Sequence, residues 1–345
     1  MDSISKYEVQ IRFTTVTRRN DSVILDDHDF QTNAENYFYP ASTVKLPIAV
    51  LALEKLNEND TLTMDTRFFV EGDTITTTFA EEIIKILAVS DNDAYNRLFE
   101  FLGTDEINSR LENKGIAPIR ISHRLSTDNA DRTTTRPLVV YLNDSTLMNR
   151  TRTYNKAPRP LSLNSIKKGR GYYDDGELVL EPFDFGLKNY YPIEAQHAAL
   201  KRVMFPELFS KKEQFHINKE QRQRLLKAMS ALPREMGYNA REFYDSYGKF
   251  FMYGDTKEPI PKTLKIYNKV GYAYGTLTDC AYIKDTKNNV EFLITATILV
   301  NKNGIFNDDQ YEYESVGIPF LAELGREIYQ LQLSIKNGTY GTTDL

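Results

Sequence analysis

Tyr7-Glu8-Val9-Gln10-Ile11-Arg12-Phe13 alternates with period two, and Ser22-Val23-Ile24-Leu25 follows a polar Arg18-Arg19-Asn20-Asp21 turn, which predicts a β-hairpin. Residues 43–57 then run apolar on nearly every side, with Lys45 the one charge before Glu54. That pattern predicts a helix buried through the middle of a domain rather than lying on its surface. The polar stretch Asn57-Glu58-Asn59-Asp60 follows. Thr78-Phe79-Ala80-Glu81 has the form of a capping box, and Glu82 to Val89 reads as a helix that stops at Ser90. Asn92 or Asp93 can cap the next helix, which ends at Gly103.

Toward the C-terminus, residues 264–269, 277–283 and 290–300 read as three strands, joined by turns at Tyr274-Gly275 and Lys287-Asn288-Asn289. Val316, Phe320, Leu321, Leu324, Ile328 and Leu331 recur at helical spacing and predict an amphipathic last helix that packs on this meander. The hairpin and the meander together complete one five-stranded antiparallel sheet. Residues 1–60 and 261–334 would form this sheet half, residues 61–260 a mainly helical half inserted into it, and 335–345 a tail.

Within the inserted half, about 137–192 stands out. Gly169-Arg170-Gly171-Tyr172-Tyr173-Asp174-Asp175-Gly176-Glu177-Leu178-Val179-Leu180 reads as a hairpin on an Asp-Gly turn, and Phe183, Phe185, Tyr190 and Tyr191 follow. Aromatics this dense point to a cleft wall or a partner surface, or to ordinary packing on the helical half; the pattern leaves these open. Helical patterns resume at Ile193-Glu194-Ala195-Gln196-His197-Ala198-Ala199-Leu200 and at Asn218.

Composition narrows the class. With 345 residues, 41% hydrophobic and 26% charged, the chain can bury a sizeable core in one large or two small domains. A net charge of −5 without long one-sign runs gives no sign of a nucleic-acid partner or a membrane-surface stripe. No run reaches the roughly 18 apolar residues of a membrane span. The one cysteine, Cys280, excludes an internal disulfide and reads as a small buried hydrophobe. There is no repeat, no phosphate loop and no cluster with metal-ligand spacing, so neither cofactor nor metal is expected.

The chemistry sits at the start of the buried helix. Ser42 and Lys45 are three positions apart and share a face, so a hydroxyl and an amine can come within hydrogen-bond reach. Unpaired N–H groups in a first helical turn can bind a developing oxyanion, and an apolar surrounding lowers a lysine pKa toward that of a base. Ser-x-x-Lys alone is a common accident. Here Ser90-Asp91-Asn92 follows on a loop between two helices, and Lys269-Val270-Gly271 lies at the end of a strand.

These three motifs, in this order, resemble those of the penicillin-recognising serine hydrolases, whose class A β-lactamases and penicillin-binding proteins carry Ser-x-x-Lys, Ser-Asp-Asn and Lys-Thr-Gly. The resemblance implies a β-lactamase/transpeptidase-like α/β (α+β) fold: a five-stranded antiparallel sheet flanked by helices, plus a mainly helical half, with the site between them. It implies Ser42 as nucleophile, Lys45 as base, Ser90 as proton carrier and Asn92 as a substrate-amide ligand. Lys269 would keep the site electropositive, Gly271 would let substrate approach the backbone, and the Tyr272 N–H would be a second oxyanion donor. It also implies a periplasmic or cell-envelope location and a leader peptide, although Met1-Asp2-Ser3-Ile4-Ser5-Lys6 has no apolar core of that kind and, taken literally, reads as cytoplasmic.

The departures are as informative. The glutamate that activates the deacylating water in class A enzymes has no counterpart in Ile119–Pro137, where Asp128, Asp131 and His123 are the nearby alternatives. Val270 removes the hydroxyl that helps hold the β-lactam carboxylate, and Tyr272 to Asp279 offers no arginine, with Asp279 of the wrong sign. The expectation is a serine hydrolase that forms an acyl-enzyme on a small-molecule or peptide amide or ester and turns over β-lactams poorly. The alternatives are a true β-lactamase and a non-catalytic ligand-binding relative. Oligomeric state and natural substrate are not legible.

Overall fold

A computed structural model describes residues 4–339 apart from 21, 59 and 145, so Asp21 of the expected turn, Asn59, Met1–Ser3 and residues 340–345 of the tail lie outside the described residues. After a 3-10 turn at Ile4–Tyr7, β1 (Gln10–Arg19) and β2 (Ser22–Phe30) form the hairpin. The strand begins later than its period-two pattern because Glu8, at φ 46°, breaks the extended backbone. A 3-10 turn at Ala41–Val44 leads directly into α1 (Lys45–Leu56).

The inserted part carries β3 (Arg67–Val70), β4 (Thr77–Thr78), α2 (Phe79–Ala88), α3 (Asn92–Leu102) and α4 (Thr104–Asn113). The capping box at α2 is formed, with Thr78 Oγ1 accepting from Glu81 N and Glu81 Oε2 from Thr78 N. The α3 cap is neither Asn92 nor Asp93: Asp91 Oδ1 accepts from Ala94 N at 2.7 Å. That frees the Asn92 side chain for another partner. β5 (Leu138–Tyr141) and β6 (Leu147–Arg150) join β3 and β4 in a four-stranded sheet that the sequence pattern does not reveal. Strands this short put at most two apolar residues on the core side, as β3 does with Phe68 and Val70, too few for a period.

Short strands continue with β7 (Lys167–Lys168), β8 (Gly171–Asp174), β9 (Glu177–Val179) and β10 (Phe183–Asp184). The β8–β9 hairpin turns on Asp175 and Gly176, both with positive φ (47° and 84°), as a tight two-residue hairpin requires. Then come α5 (Ile193–Met204), α6 (Lys219–Ser230), β11 (Leu264–Ala273), β12 (Thr276–Asp285), β13 (Val290–Leu299), β14 (Ile305–Phe306) and α7 (Ile318–Lys336).

The chain ends meet in a five-stranded antiparallel sheet, ordered β11-β12-β13-β1-β2. Alternation along β12 sorts its side chains. Leu277, Ala281 and Ile283 join the core under α7, while Cys280 and Tyr282 join the core shared with α1. Both faces are therefore covered, and each large apolar side chain buried contributes about 1.5–3 kcal/mol. α5, read from sequence with the helical half, instead packs on the sheet, where His197 bridges Thr14 Oγ1 (2.6 Å) and Thr295 Oγ1 (2.8 Å). α1 runs between this sheet and α2, α3 and α4, which is why residues 48–53 are buried on every side. Among the described residues no helix is long and apolar enough to cross a membrane.

Candidate active site

The turn before α1 is bent tightly. Ala41 sits at φ 46°, and Thr43 caps the turn by donating from both N (3.1 Å) and Oγ1 (2.7 Å) to the Pro40 carbonyl. In a 3-10 turn residues i and i+3 eclipse, so Ser42 and Lys45 do share a face. β11 closes against this turn at Gly271, where a Cβ would stand 2.7 Å from Ser42 N and 3.0 Å from Thr43 N. Only glycine allows that approach. What comes close to the Gly271 backbone here is the Ser42 turn itself.

The Lys45 amine does not hydrogen-bond Ser42. It donates to Ser90 O (2.5 Å) and Asn92 Oδ1 (2.6 Å), with Ser90 Oγ at 3.2 Å. Those three partners use all the directions the amine has. Ser42 is half-buried, and its Oγ makes no hydrogen bond to the described residues. Ser90 lies at φ 60° on the loop between α2 and α3, and its Oγ also accepts from Lys269 Nζ at 2.8 Å. Lys269 donates besides to its neighbour's carbonyl, Val270 O, at 2.8 Å. One hydroxyl thus stands between two buried amines.

Burial pushes the Lys45 pKa down to about 7, against the opposing charge of Asp91. Lys269 is held well below the ordinary lysine range, first by burial and then by the charge of Lys45. Asn92 spans the gap to the next loop, its Nδ2 donating to Ser126 Oγ at 3.0 Å. Sequence reasoning misses Ser126, which no spacing marks.

A second polar group lies behind Lys269, on the other face of β11. Asn268 Nδ2 donates to Asp279 Oδ1 (2.8 Å) and Gly248 O (2.9 Å), and Asn268 Oδ1 accepts from Lys249 Nζ (2.7 Å). Asp279 is fully buried and also accepts from the Phe250 and Phe251 N–H groups, so it does not face the cleft as its place in the sequence suggests. Burial raises its pKa to about 6 and lowers that of Lys249 to about 8. Val270 packs against the core on that side and also borders the smaller cavity at Ser42.

Two cavities meet at Ser42. The smaller, about 280 Å³, is lined by Ser90, Lys269, Val270 and Tyr247. The larger, about 600 Å³, is lined by His123, Ser126, Lys188, Tyr274, Asp309 and Tyr311. Ser42, Asn92 and the half-exposed Tyr272 border both. No glutamate lines either cavity among the described residues, and neither Asp128 nor Asp131 does. Asp128 faces a separate polar cavity whose Arg97, Arg124 and Arg136 are paired with Glu82, Glu100 and Asp73. His123 Nδ1 lies 2.5 Å from Arg124 O and so carries the hydrogen, while burial lowers the ring pKa to about 4 and keeps it neutral.

Most of the inserted aromatics pack, while Tyr154 and Tyr173 face solvent. Phe183, Phe185 and Tyr190 join Tyr37, Tyr39 and Phe306 in one cluster, which reaches the larger cavity through Tyr39 and Tyr274. The hairpin touches the site indirectly: β8 pairs in parallel with β14, and the residues after β14 line the cavity.

Residues 3–154 match the model of the β-lactamase enzyme family. The structure is similar to that of a class A β-lactamase from Mycobacterium abscessus (TM-score 0.56, 14% identity, 96% of each chain covered). It is also similar to a β-lactamase from Burkholderia ambifaria (TM-score 0.53, 12% identity, 95% of this chain and 97% of that one). A β-lactamase from Sphaerobacter thermophilus aligns at TM-score 0.52 and 13% identity, over 95% of this chain and 92% of that one. No curated protein matches. The family match covers residues 3–154, and nearly the whole chain shares the fold of these β-lactamases.

Proposed function

We propose that the chain is an acyl-transferring serine hydrolase in which Ser42 forms the acyl-enzyme. The observation that carries this reading is the Ser90 hydroxyl held between Lys45, at a pKa of about 7, and Lys269, beside an unpaired Ser42 hydroxyl. A neutral Lys45 amine donates to Ser90 O and Asn92 Oδ1 and keeps a lone pair for a proton. Ser42 Oγ attacks the carbonyl carbon, and its proton passes to Lys45, directly or through Ser90. The oxyanion is held by the Ser42 and Tyr272 N–H groups, and Lys269 keeps the site electropositive. The C–N or C–O bond then breaks, and the proton returns to the leaving group through Ser90. Water adds to the ester and releases the acid. Asn92 is the substrate-amide ligand once its contact with Lys45 exchanges.

The substrate is an amide or ester, with a cell-wall-derived peptide the candidate that a cell-envelope location brings. β-Lactams are poor substrates on this reading, because Val270 offers no hydroxyl and, among the described residues, no glutamate lines the site to activate a deacylating water. A true β-lactamase would hydrolyse nitrocefin rapidly; a slowly released penicilloyl adduct supports a serine hydrolase of another specificity. A fluorophosphonate label with mass-spectrometric site mapping tests the nucleophile without assuming a substrate. The label is expected on Ser42 and lost in Ser42→Ala. Labelling that persists unchanged in Ser42→Ala overturns the assignment, and no labelling of the folded protein favours a non-catalytic relative.

A further inference from the structure

Lys188 lines the larger cavity together with Ser42 and Asn92, and it comes from the inserted segment. Its backbone is pinned on both sides. Arg120 Nη2 donates to both the Gly186 and Lys188 carbonyls, and Lys188 N donates to Phe185 O at 2.9 Å. The next residue, Asn189, is fully buried and accepts from Ser122 N at 2.8 Å. These bonds fix where the Lys188 Cα stands at the edge of the cavity.

Among the described residues the amine has no hydrogen-bond or salt-bridge partner. Burial holds Lys45, Lys55, Lys188, Lys249 and Lys269 below the ordinary lysine range. The other four each donate hydrogen bonds to protein acceptors, as Lys55 does to Phe101 O at 3.0 Å. Lys188 alone among these five forms neither a hydrogen bond from its amine nor a salt bridge with the described residues. Its contacts are the face of Phe183, 5.9 Å from the ring centroid, and a longer-range attraction to Asp131. A half-desolvated cation is costly unless something anionic completes it.

On the opposite side of Ser42, Val270 supplies no donor of its own, and the Lys269 amine there is already engaged with Ser90 Oγ and Val270 O. Lys188 stands instead on the side of Asn92 and the loop that carries His123 and Ser126, where the acyl half of a substrate lies if Asn92 holds its amide. Among the described residues lining this cavity, Arg124 is paired with Glu100, and the other charge without a salt bridge is Asp309, on the loop after β14. Asp309 opposes a diffuse preference for anions, so selectivity for them has to come from a direct contact at Lys188.

We propose that Lys188 is the specificity residue for a carboxylate on the acyl part of the substrate. This rests on the reading of Ser42 as nucleophile. Two alkyl fluorophosphonates of equal length, one ending in a carboxylate and one in a carboxamide, separate the two ideas. In each, the Ser42 Oγ–P bond forms as fluoride leaves and the serine proton goes to the base. The ratio of labelling rates, carboxylate over carboxamide, is expected to fall about tenfold in Lys188→Gln, the usual worth of a charge-assisted hydrogen bond, and to recover in Lys188→Arg. In wild type the ratio is also expected to fall with added salt. A ratio that is the same in wild type and Lys188→Gln overturns the role of Lys188 and leaves Ser42 standing. Absence of label from both probes removes the nucleophile and this inference with it.

Discussion

β11 has a buried lysine on each side of it, and the two are built differently. On one face Lys269, with Lys45 beyond it, meets hydroxyl and carbonyl oxygens around an open cavity. On the other, Lys249 meets Asn268 and the Met229 carbonyl, with the Asp279 carboxylate one bond further on. Burial lowers the pKa in both places. A depressed lysine is thus no mark of a site by itself. The difference lies in what completes the group: behind the strand, protein donors and acceptors close the network, whereas in front, Ser42 Oγ is left free where a substrate can reach it.

The sharpest way to test this contrast is to remove one lysine from each side. Lys45→Ala is expected to slow fluorophosphonate labelling of Ser42 by about 10³-fold, within the range that a positioned base contributes. Wild-type labelling should rise with pH through about 7, as the Lys45 amine loses its proton and gains the lone pair that accepts the serine proton. Near-normal labelling in Lys45→Ala, or a rate that falls as pH rises through 7, would put the base elsewhere.

Asp279→Ala probes the other side. It leaves Asn268 and the Phe250 and Phe251 N–H groups without their buried acceptor and Lys249 without its nearby charge. Removing one member of such a buried group costs about 3–5 kcal/mol. Urea unfolding should show that loss, while the protein that remains folded labels at a rate close to wild type. If labelling instead collapsed in folded Asp279→Ala, the two faces of β11 would be one functional unit and the comparison would fail.

The same contrast explains what can be read without coordinates. Ser42 with Lys45, and Ser90 with Asn92, are local spacings on predictable elements, and the period-two and helical patterns mark the five strands and α7. Lys249, Asn268 and Asp279 carry no spacing at all. They meet because β11 pairs with β12 in the register that sets Asn268 against Ala281, beside the turn around Gly248. Spacing misjudges the partner of Lys45 for a related reason: with Asp91 taking the cap, Asn92 is free to accept from the amine. Lys188 is one lysine among many until Arg120, far away in sequence, pins its carbonyl.

The smallest expected effect concerns the hairpin of β8 and β9, which lies one step away from Ser42. Arg170 N donates to Gly304 O at 2.8 Å, Asn307 Nδ2 donates to Tyr173 O at 3.0 Å, and β8 pairs with β14. Gly169 lets these segments close, since a Cβ there would stand 2.4 Å from Gly304 O. The hairpin thus holds the loop that brings Asn307, Asp309 and Tyr311 to the larger cavity. A replacement has to spare residues 138–150, because β5 and β6 belong to the sheet of the helical half. Exchanging residues 173–178, which leaves the packed Tyr172 in place, for a short Gly/Ser linker should change labelling by a small fluorophosphonate no more than about twofold, since an exposed segment is removed. Any discrimination between extended and bulky acyl esters should weaken, because the loop that borders the larger cavity has lost part of its support. Selectivity that survives the exchange would make the hairpin a packing element and confine the recognition surface to residues that line the cavity themselves.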